Sequence, residues 1–152
     1  MQVGLISDIH ANLPALEAVL DGMPPVDDII CAGDGVGYNP WPRECLERVR
    51  AVSSLVVRGN HDRDVETPHR YEHNEMAHAG LEFAQRELSD SQRKWLSEVP
   101  ERMEFADDAY RLVHSHPNPN QLGSYVRPAE FPKMRPYLDA HVGIVLGHTY
   151  VQ

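Results

Sequence analysis

The first third of the chain alternates between short apolar strands and amphipathic helices, and this alternation constrains the fold more than any other feature. Residues 2–7, 28–32 and 54–57 are predicted strands, and residues 13–22 and 44–52 between them carry helical patterns. Strands that alternate with helices in this way form parallel βαβ units. The pattern therefore predicts an α/β protein with a parallel βαβαβ core covered by helices.

Capping residues mark where several helices are predicted to begin and end. Asn12 is a candidate N-cap for the first helix, which is predicted to end at Gly22. Ser89 and Gln92 match a capping box at the start of a later helix. Apolar residues at spacings of four, three and four predict another helix between these two: Ala77, Leu81, Ala84 and Leu88.

The part of the chain after residue 100 predicts a second group of strands. Residues 101–105 and 109–113 are predicted to form a hairpin, although its turn lacks the usual glycine. A proline-rich surface segment that contains a short helix is predicted over residues 117–136. It is followed by a last predicted strand over residues 142–146.

Polar residues follow almost every predicted strand. They are Asp8, His10, Asp34, Asn60, His61, His114 and His148. In an open parallel sheet, the loops at the carboxyl ends of the strands gather along one edge, so these side chains are expected to converge there. Carboxylate, imidazole and amide groups suit divalent ions such as Mn, Fe or Zn better than a metal that prefers thiolates.

Five short blocks of sequence resemble the signature of the calcineurin-like metallophosphoesterase superfamily, in its small prokaryotic and archaeal type. In order, the blocks are Asp8-Ile9-His10, Gly33-Asp34, Gly59-Asn60-His61-Asp62, His114 and Gly147-His148-Thr149. Each block alone is common, and only the ordered set is specific. The resemblance implies one domain over residues 1–152, with a βαβ core and mixed sheets flanked by helices. It also implies metal-dependent hydrolysis of a phosphate monoester or diester.

The resemblance implies a role for each of these residues. The implied ligands are Asp8, His10 and Asp34 for a first ion, and Asp34, Asn60, His114 and His148 for a second. Asp34 would bridge the two ions, and a hydroxide that they share would attack phosphorus. His61 would support or protonate the leaving oxygen, and Asp62 would orient His61. The implied cofactors are two divalent ions, first of all Mn2+, with Fe, Zn, Ni or Co as alternatives. The implied substrate is a small phosphate ester such as a nucleotide.

Structural roles compete with these assignments. Asp8 and Asp34 could cap the helices that follow them, although capping does not explain His10. Asn60 and Asp62 could build a turn after a glycine, and this alternative is stronger for Asp62.

Two departures from the family pattern favour a different class of function. The family reads Gly-His-Thr-His in its last block, whereas this chain has Tyr150 after Thr149, so one ligand of the first ion is replaced. The family also continues through further strands beyond the position of Gln152, which predicts a domain without the C-terminal strands of its second sheet. The alternative hypothesis is a degenerate, non-catalytic regulatory module that binds a metal or a phosphate.

Charge and composition exclude some classes of partner. The formal net charge of −9 argues against general nucleic-acid binding, because phosphate backbones are bound by clustered Lys and Arg. The apolar runs are too short for a membrane span or a signal peptide, which predicts a cytoplasmic protein. Cys31 and Cys45 are predicted to be buried thiols.

Overall fold

Two three-stranded sheets, flanked by helices, form the framework of the protein. The computed structural model describes residues 1–138 and 141–149. The strands of the first sheet are all parallel and lie in the order β1 (Val3–Ile6), β2 (Asp28–Cys31) and β3 (Leu55–Val56). The second sheet is mixed and has the order β4 (Arg102–Phe105), β5 (Tyr110–Val113) and β6 (Gly143–Leu146). In it, β4 is antiparallel to β5 and β6 is parallel to β5.

In the part of the chain that the structure describes, six α-helices lie between or after the strands. They are α1 (Leu13–Gly22), α2 (Pro42–Val52), α3 (Asn60–Asp64), α4 (Glu75–Glu87), α5 (Asp90–Glu98) and α6 (Phe131–Met134). Short 3-10 helices span Pro68–Tyr71, Pro119–Gln121, Pro128–Glu130 and Arg135–Tyr137. Within the described ranges, no helix combines the length and apolar character needed to cross a bilayer.

The predicted caps are present at the starts of α1 and α5. The Asn12 side chain accepts a hydrogen bond from the backbone N–H of Ala15, at 3.2 Å. Ser89 and Gln92 form the reciprocal capping box at the start of α5. These contacts satisfy backbone N–H groups that a helix leaves free in its first turn, so the helices begin where the sequence predicts.

The turn of the β4–β5 hairpin explains how it forms without a glycine. Ala106, Asp107 and Asp108 have φ angles of 54°, 54° and 60°, in the left-handed region of the backbone. Aspartate enters this region more readily than most residues because its short side chain can hydrogen-bond locally. The predicted hairpin is confirmed.

Apolar residues fill the space on both sides of the first sheet. One buried cluster lies between the two sheets and includes Ile30, Val57 and Leu112. A second cluster lies between the first sheet and helices α1 and α2, and it contains Cys31 and Cys45, which are free thiols as predicted. Because both faces of the first sheet are covered, its strands are apolar along nearly their whole length.

Candidate metal centre

Backbone hydrogen bonds join the loops that follow the strands into one edge. The N–H groups of Asp8 and His10 donate to the carbonyls of Gly33 and Asp34, each at 2.9 Å. In the second sheet, the N–H of Gly147 donates to the carbonyl of His114 at 2.9 Å. The two pairs of loops are joined where the backbone N–H of His148 donates to Oδ2 of Asp8 at 2.8 Å, so the carboxyl ends of β1, β2, β5 and β6 meet in one place although they come from both sheets.

Asp34 lies at the middle of this edge and is only 1% exposed. Its Oδ2 lies 3.2 Å from Nε2 of His114 and 3.8 Å from Nε2 of His10. Its Oδ1 accepts a hydrogen bond from the backbone N–H of His61 at 2.9 Å. One carboxylate thus faces side chains that follow three different strands.

The side-chain donor atoms fall into two groups, and Asp34 belongs to both. One group contains Asp8, Asp34, His114 and His148, and the other contains His10, Asp34 and His61. In each group the candidate ligand atoms lie within 4.8 Å of one another. Asn60 lies beside the first group, with its Oδ1 3.1 Å from Nε2 of His114.

This grouping differs from the division that the family resemblance implies. Asp8 lies with the histidines expected to hold the second ion, and His61, expected to act on the substrate, lies with His10. Oδ1 of Asp8 also lies 3.9 Å from Nε2 of His10, as expected for two ligands of the first ion. All six predicted ligands and His61 nevertheless lie at this edge. Asp34 belongs to both groups of donor atoms in the structure and to both ligand sets that the resemblance implies.

Asp8 shows that the site is suited to a cation. Its Oδ2 accepts hydrogen bonds from Oγ of Ser7 at 2.6 Å and from the backbone N–H of His148 at 2.8 Å. Its Oδ1 is buried without a hydrogen-bond partner among the described residues. A buried carboxylate oxygen left in this way is costly unless another group binds it. Together with the nitrogen and oxygen donors around it, this oxygen fits a divalent ion.

Four of the predicted ligands have an unusual backbone conformation. Asp8, His10, Asp34 and His148 have φ angles of 53°, 48°, 57° and 61°, all in the left-handed region. For residues other than glycine this conformation is strained, at about 1–3 kcal/mol each, and such strain concentrates at functional sites. It is held here by the hydrogen bonds between the loops.

Two glycines leave room for the central side chains. A Cβ atom at position 59 would collide with the carboxylate of Asp34. A Cβ atom at position 37 would collide with the ring of His61, and Gly37 also has a φ of +98°. The absence of a side chain at Gly59 therefore leaves the space that the Asp34 carboxylate occupies.

The charges at the centre shift several pKa values strongly. Burial alone would raise the pKa of Asp34, but its hydrogen bond and charge attraction to His114 outweigh burial and lower that pKa to about 2. Burial alone would lower the pKa of His114, but Asp34 raises it to about 9. Burial lowers the pKa of His61 to about 4, against the attraction of Asp34. Asp34 thus favours the protonated form of His114, whereas burial favours the neutral form of His61.

Asp62 closes the turn after Gly59, as its structural alternative predicts, and it also binds backbone groups that the sequence does not indicate. Its side chain is buried, and it accepts four backbone hydrogen bonds from the loops that hold Asp34. The donors are the N–H groups of Asp34 at 2.8 Å, Gly35 at 2.8 Å, Val36 at 3.2 Å and Gly59 at 3.0 Å. Nδ1 of His61 has no hydrogen-bond partner among the described residues, so it donates none to Asp62. The structure thus places Asp62 beneath the loop that carries Asp34.

We expect an Asp62→Asn variant to lose about 3 kcal/mol of unfolding free energy, because an amide cannot accept all four bonds and leaves buried N–H groups unsatisfied. Urea denaturation in the presence of a chelator measures this loss. Asp21→Asn is a matched control, since Asp21 is exposed on α1. Unchanged stability together with lost hydrolysis would instead support the predicted role of Asp62 in orienting His61.

An aromatic cavity of about 390 Å³ opens next to the centre, and no sequence pattern predicts it. Its walls include Tyr38, Tyr71 and Tyr125, together with His61 and His148. The ring centroids of Tyr38 and Tyr71 lie 5.0 Å and 4.7 Å from that of His61. Tyr125 stacks on His148 with a centroid distance of 4.6 Å.

Tyr150 lies outside the described residues, so the structure says nothing about the side chain that replaces the expected histidine.

Known proteins resemble this chain in sequence and in fold. The sequence profile of the calcineurin-like phosphoesterases matches residues 1–152. An uncharacterized protein of Methanocaldococcus jannaschii is 30% identical over 154 residues, which cover 98% of this chain and 62% of that protein. The crystal structure of a metallophosphoesterase from Sphaerobacter thermophilus has a TM-score of 0.82 at 35% identity. That match covers 99% of this chain and 61% of the other.

A more distant structure shows the same fold. It is a hypothetical protein from Pyrococcus horikoshii, with a TM-score of 0.71 at 16% identity, covering 97% of this chain and 69% of that one. The chain spans about 62% of the length of the curated relative that it matches.

Proposed function

The chain belongs to the calcineurin-like phosphoesterase family, and from this premise we propose that it hydrolyses a small phosphate monoester or diester with two divalent ions, first of all Mn2+. One observation carries the proposal. The buried carboxylate of Asp34 belongs to both groups of candidate ligand atoms. A carboxylate has two oxygens, so one residue in this position can serve two ions.

The residues around Asp34 would hold the ions. These are Asp8, His10, Asn60, His114 and His148, which offer carboxylate, imidazole and amide donors. When bound, the ions supply positive charge for the phosphoryl oxygens and lower the pKa of a water molecule. His61 would then support or protonate the leaving oxygen, because its ring lies on the same edge as Asp34.

The aromatic cavity supports a substrate with a flat organic group. Tyrosine rings give a large apolar contact area and leave a hydroxyl for hydrogen bonding. A phosphate held at Asp34 would place the ester's organic group near the rings of Tyr38, Tyr71 and Tyr125. We therefore propose aryl or nucleoside phosphates as the substrate class.

A non-catalytic module that binds a metal or a phosphate is the second candidate, and the observation that favours it is Tyr150. A phenol is a poor metal ligand at neutral pH, since its ordinary pKa is about 10. The first ion would then have fewer strong ligands than the second.

Metal titration with a hydrolysis assay separates the two candidates. We expect the chelator-treated protein to bind two Mn2+ per chain by calorimetry, and to hydrolyse p-nitrophenyl phosphate or bis-p-nitrophenyl phosphate only when both sites are filled. Comparing the two substrates distinguishes a monoesterase from a diesterase. One bound ion, or none, without hydrolysis of either substrate would support the non-catalytic module.

A further inference from the structure

We propose that Tyr71 is a positioning residue that turns the Asn60 amide so that its oxygen faces the metal centre, an inference that rests on the proposed function. Tyr71 is the last residue of the 3-10 helix Pro68–Tyr71 and lies outside every signature block. The family resemblance therefore implies no role for Tyr71.

A relay of hydrogen bonds connects Asn60 to a buried carboxylate through Tyr71. Nδ2 of Asn60 donates to the Tyr71 hydroxyl at 2.7 Å, and that hydroxyl donates to Oδ2 of Asp64 at 3.5 Å. A phenol has one proton to donate, and a carboxylate can only accept. With its proton directed to Asp64, the hydroxyl presents its lone pairs to Asn60 and accepts from the amide nitrogen.

This relay fixes which end of the amide faces the centre. Because Nδ2 of Asn60 is bound to Tyr71, Oδ1 points to the other side and lies 3.1 Å from Nε2 of His114. An amide binds a divalent ion through its oxygen, since its nitrogen has no free lone pair to offer. A flipped amide would present N–H groups to the ion.

Asp64 is itself held in place by two arginines. Arg63 donates to both of its carboxylate oxygens, each at 3.0 Å, and Arg70 donates to Oδ1 at 2.9 Å. The Asp64 carboxylate is buried and receives these three charged hydrogen bonds. Charge-assisted bonds of this kind are short and directional, so the last member of the relay is fixed before Asn60 meets an ion.

The test is a double-mutant cycle on Mn2+ affinity. Tyr71→Phe removes the hydroxyl and keeps the ring that packs on His61. We expect it to weaken binding of one of the two ions by about 10-fold or more, as is typical when the partner of a metal ligand is lost. In an Asn60→Asp background, both ends of the side chain are oxygens. There the same change is expected to have a much smaller effect, so the two substitutions are not additive.

The readout is calorimetric Mn2+ titration, with thermal unfolding in chelator to measure stability separately. Tyr110→Phe is a matched control, because Tyr110 begins β5 at the end remote from His114 and is partly exposed. Equal affinity of the Tyr71→Phe and wild-type proteins overturns the inference. Equal losses in the Asn60 and Asn60→Asp backgrounds also overturn it, because they indicate a general structural effect.

The wild-type titration distinguishes this failure from failure of the proposed function. A wild-type protein that binds two ions but does not respond to Tyr71→Phe refutes the positioning role alone. A wild-type protein that binds no Mn2+ refutes the two-ion function, and the positioning role with it.

Discussion

An Asp34→Asn variant is expected to lose both divalent ions and, with them, all hydrolysis above background. The substitution preserves the size of the side chain but removes its charge and one of the two oxygens that could bind metal. Oδ2 of Asp34 lies 3.2 Å from Nε2 of His114 and 3.8 Å from Nε2 of His10, and Asp34 is the residue that both groups of candidate ligands share. Loss of a side chain that only hydrogen-bonds to a metal ligand lowers metal affinity by about 10–100-fold. We expect Asp34→Asn to lower the affinity for both ions by more than this, because Asp34 would bind them directly.

Metal content after dialysis and a Mn2+ titration measure this loss. The fold should survive, because an amide oxygen can still accept the hydrogen bond that Asp34 receives from the backbone N–H of His61. Thermal unfolding in chelator checks that point, and Asp21→Asn controls for removal of one negative charge. Two tightly bound ions in Asp34→Asn would refute the proposal that this residue bridges them.

The regular elements could be predicted because their signals are local. Asn12 caps α1 through a contact three residues away, and the capping box of Ser89 and Gln92 is equally short in range. The gathering of polar residues at one edge could also be predicted, since parallel strands bring their carboxyl ends together. That argument needs only the order of the strands.

The burial of an apolar residue on a predicted helix could not always be predicted. Val19 and Leu16 are apolar residues three positions apart on α1, yet Leu16 is 4% exposed whereas Val19 is 52% exposed and lies along an apolar groove with Leu5 and Leu146. Periodicity shows which residues share a helix face, but not how far the neighbouring sheet extends over that face.

The geometry of the centre could not be predicted, because it depends on left-handed backbone conformations that Asp and His can adopt but that their presence does not indicate. Asp8 and His10 adopt left-handed φ angles. Nothing in their identities indicates this, since the conformation is imposed by hydrogen bonds to a loop more than twenty residues later. The grouping of Asp8 with His148 follows from the same distant contacts, including the hydrogen bond between them.

The residues that hold the candidate ligands in place could not be predicted either, because their roles also depend on contacts between distant parts of the chain. Asp62 carries a motif signal, but its four backbone donors come from loops that the sequence cannot place beneath it. Tyr71 and Asp64 carry no motif signal, and their importance arises only from the hydrogen bonds that link them to Asn60. A sequence read without its relatives shows ligand types more readily than the groups that orient them.

A His61→Ala variant is expected to lower turnover by about 10²–10³-fold, the range typical when one hydrogen-bond donor to charge that develops in the transition state is lost, while both ions stay bound. The His61 ring is buried between Tyr38 and Tyr71, and burial lowers its pKa to about 4. At neutral pH the ring is therefore uncharged, but it still carries one N–H that can donate to a leaving oxygen. This bond should matter most when the leaving oxygen is strongly basic.

The identity of the leaving group therefore provides the decisive measurement for His61. We expect the loss in His61→Ala to be larger for an alkyl phosphate than for p-nitrophenyl phosphate, because a nitrophenolate leaves without needing a proton. His69→Ala is the control, since His69 is exposed in the neighbouring 3-10 helix. An equal loss for both substrates together with a missing ion would contradict the role of His61 as a hydrogen-bond donor to the leaving oxygen. It would make His61 a metal ligand beside His10 and Asp34, as the proximity of their donor atoms permits.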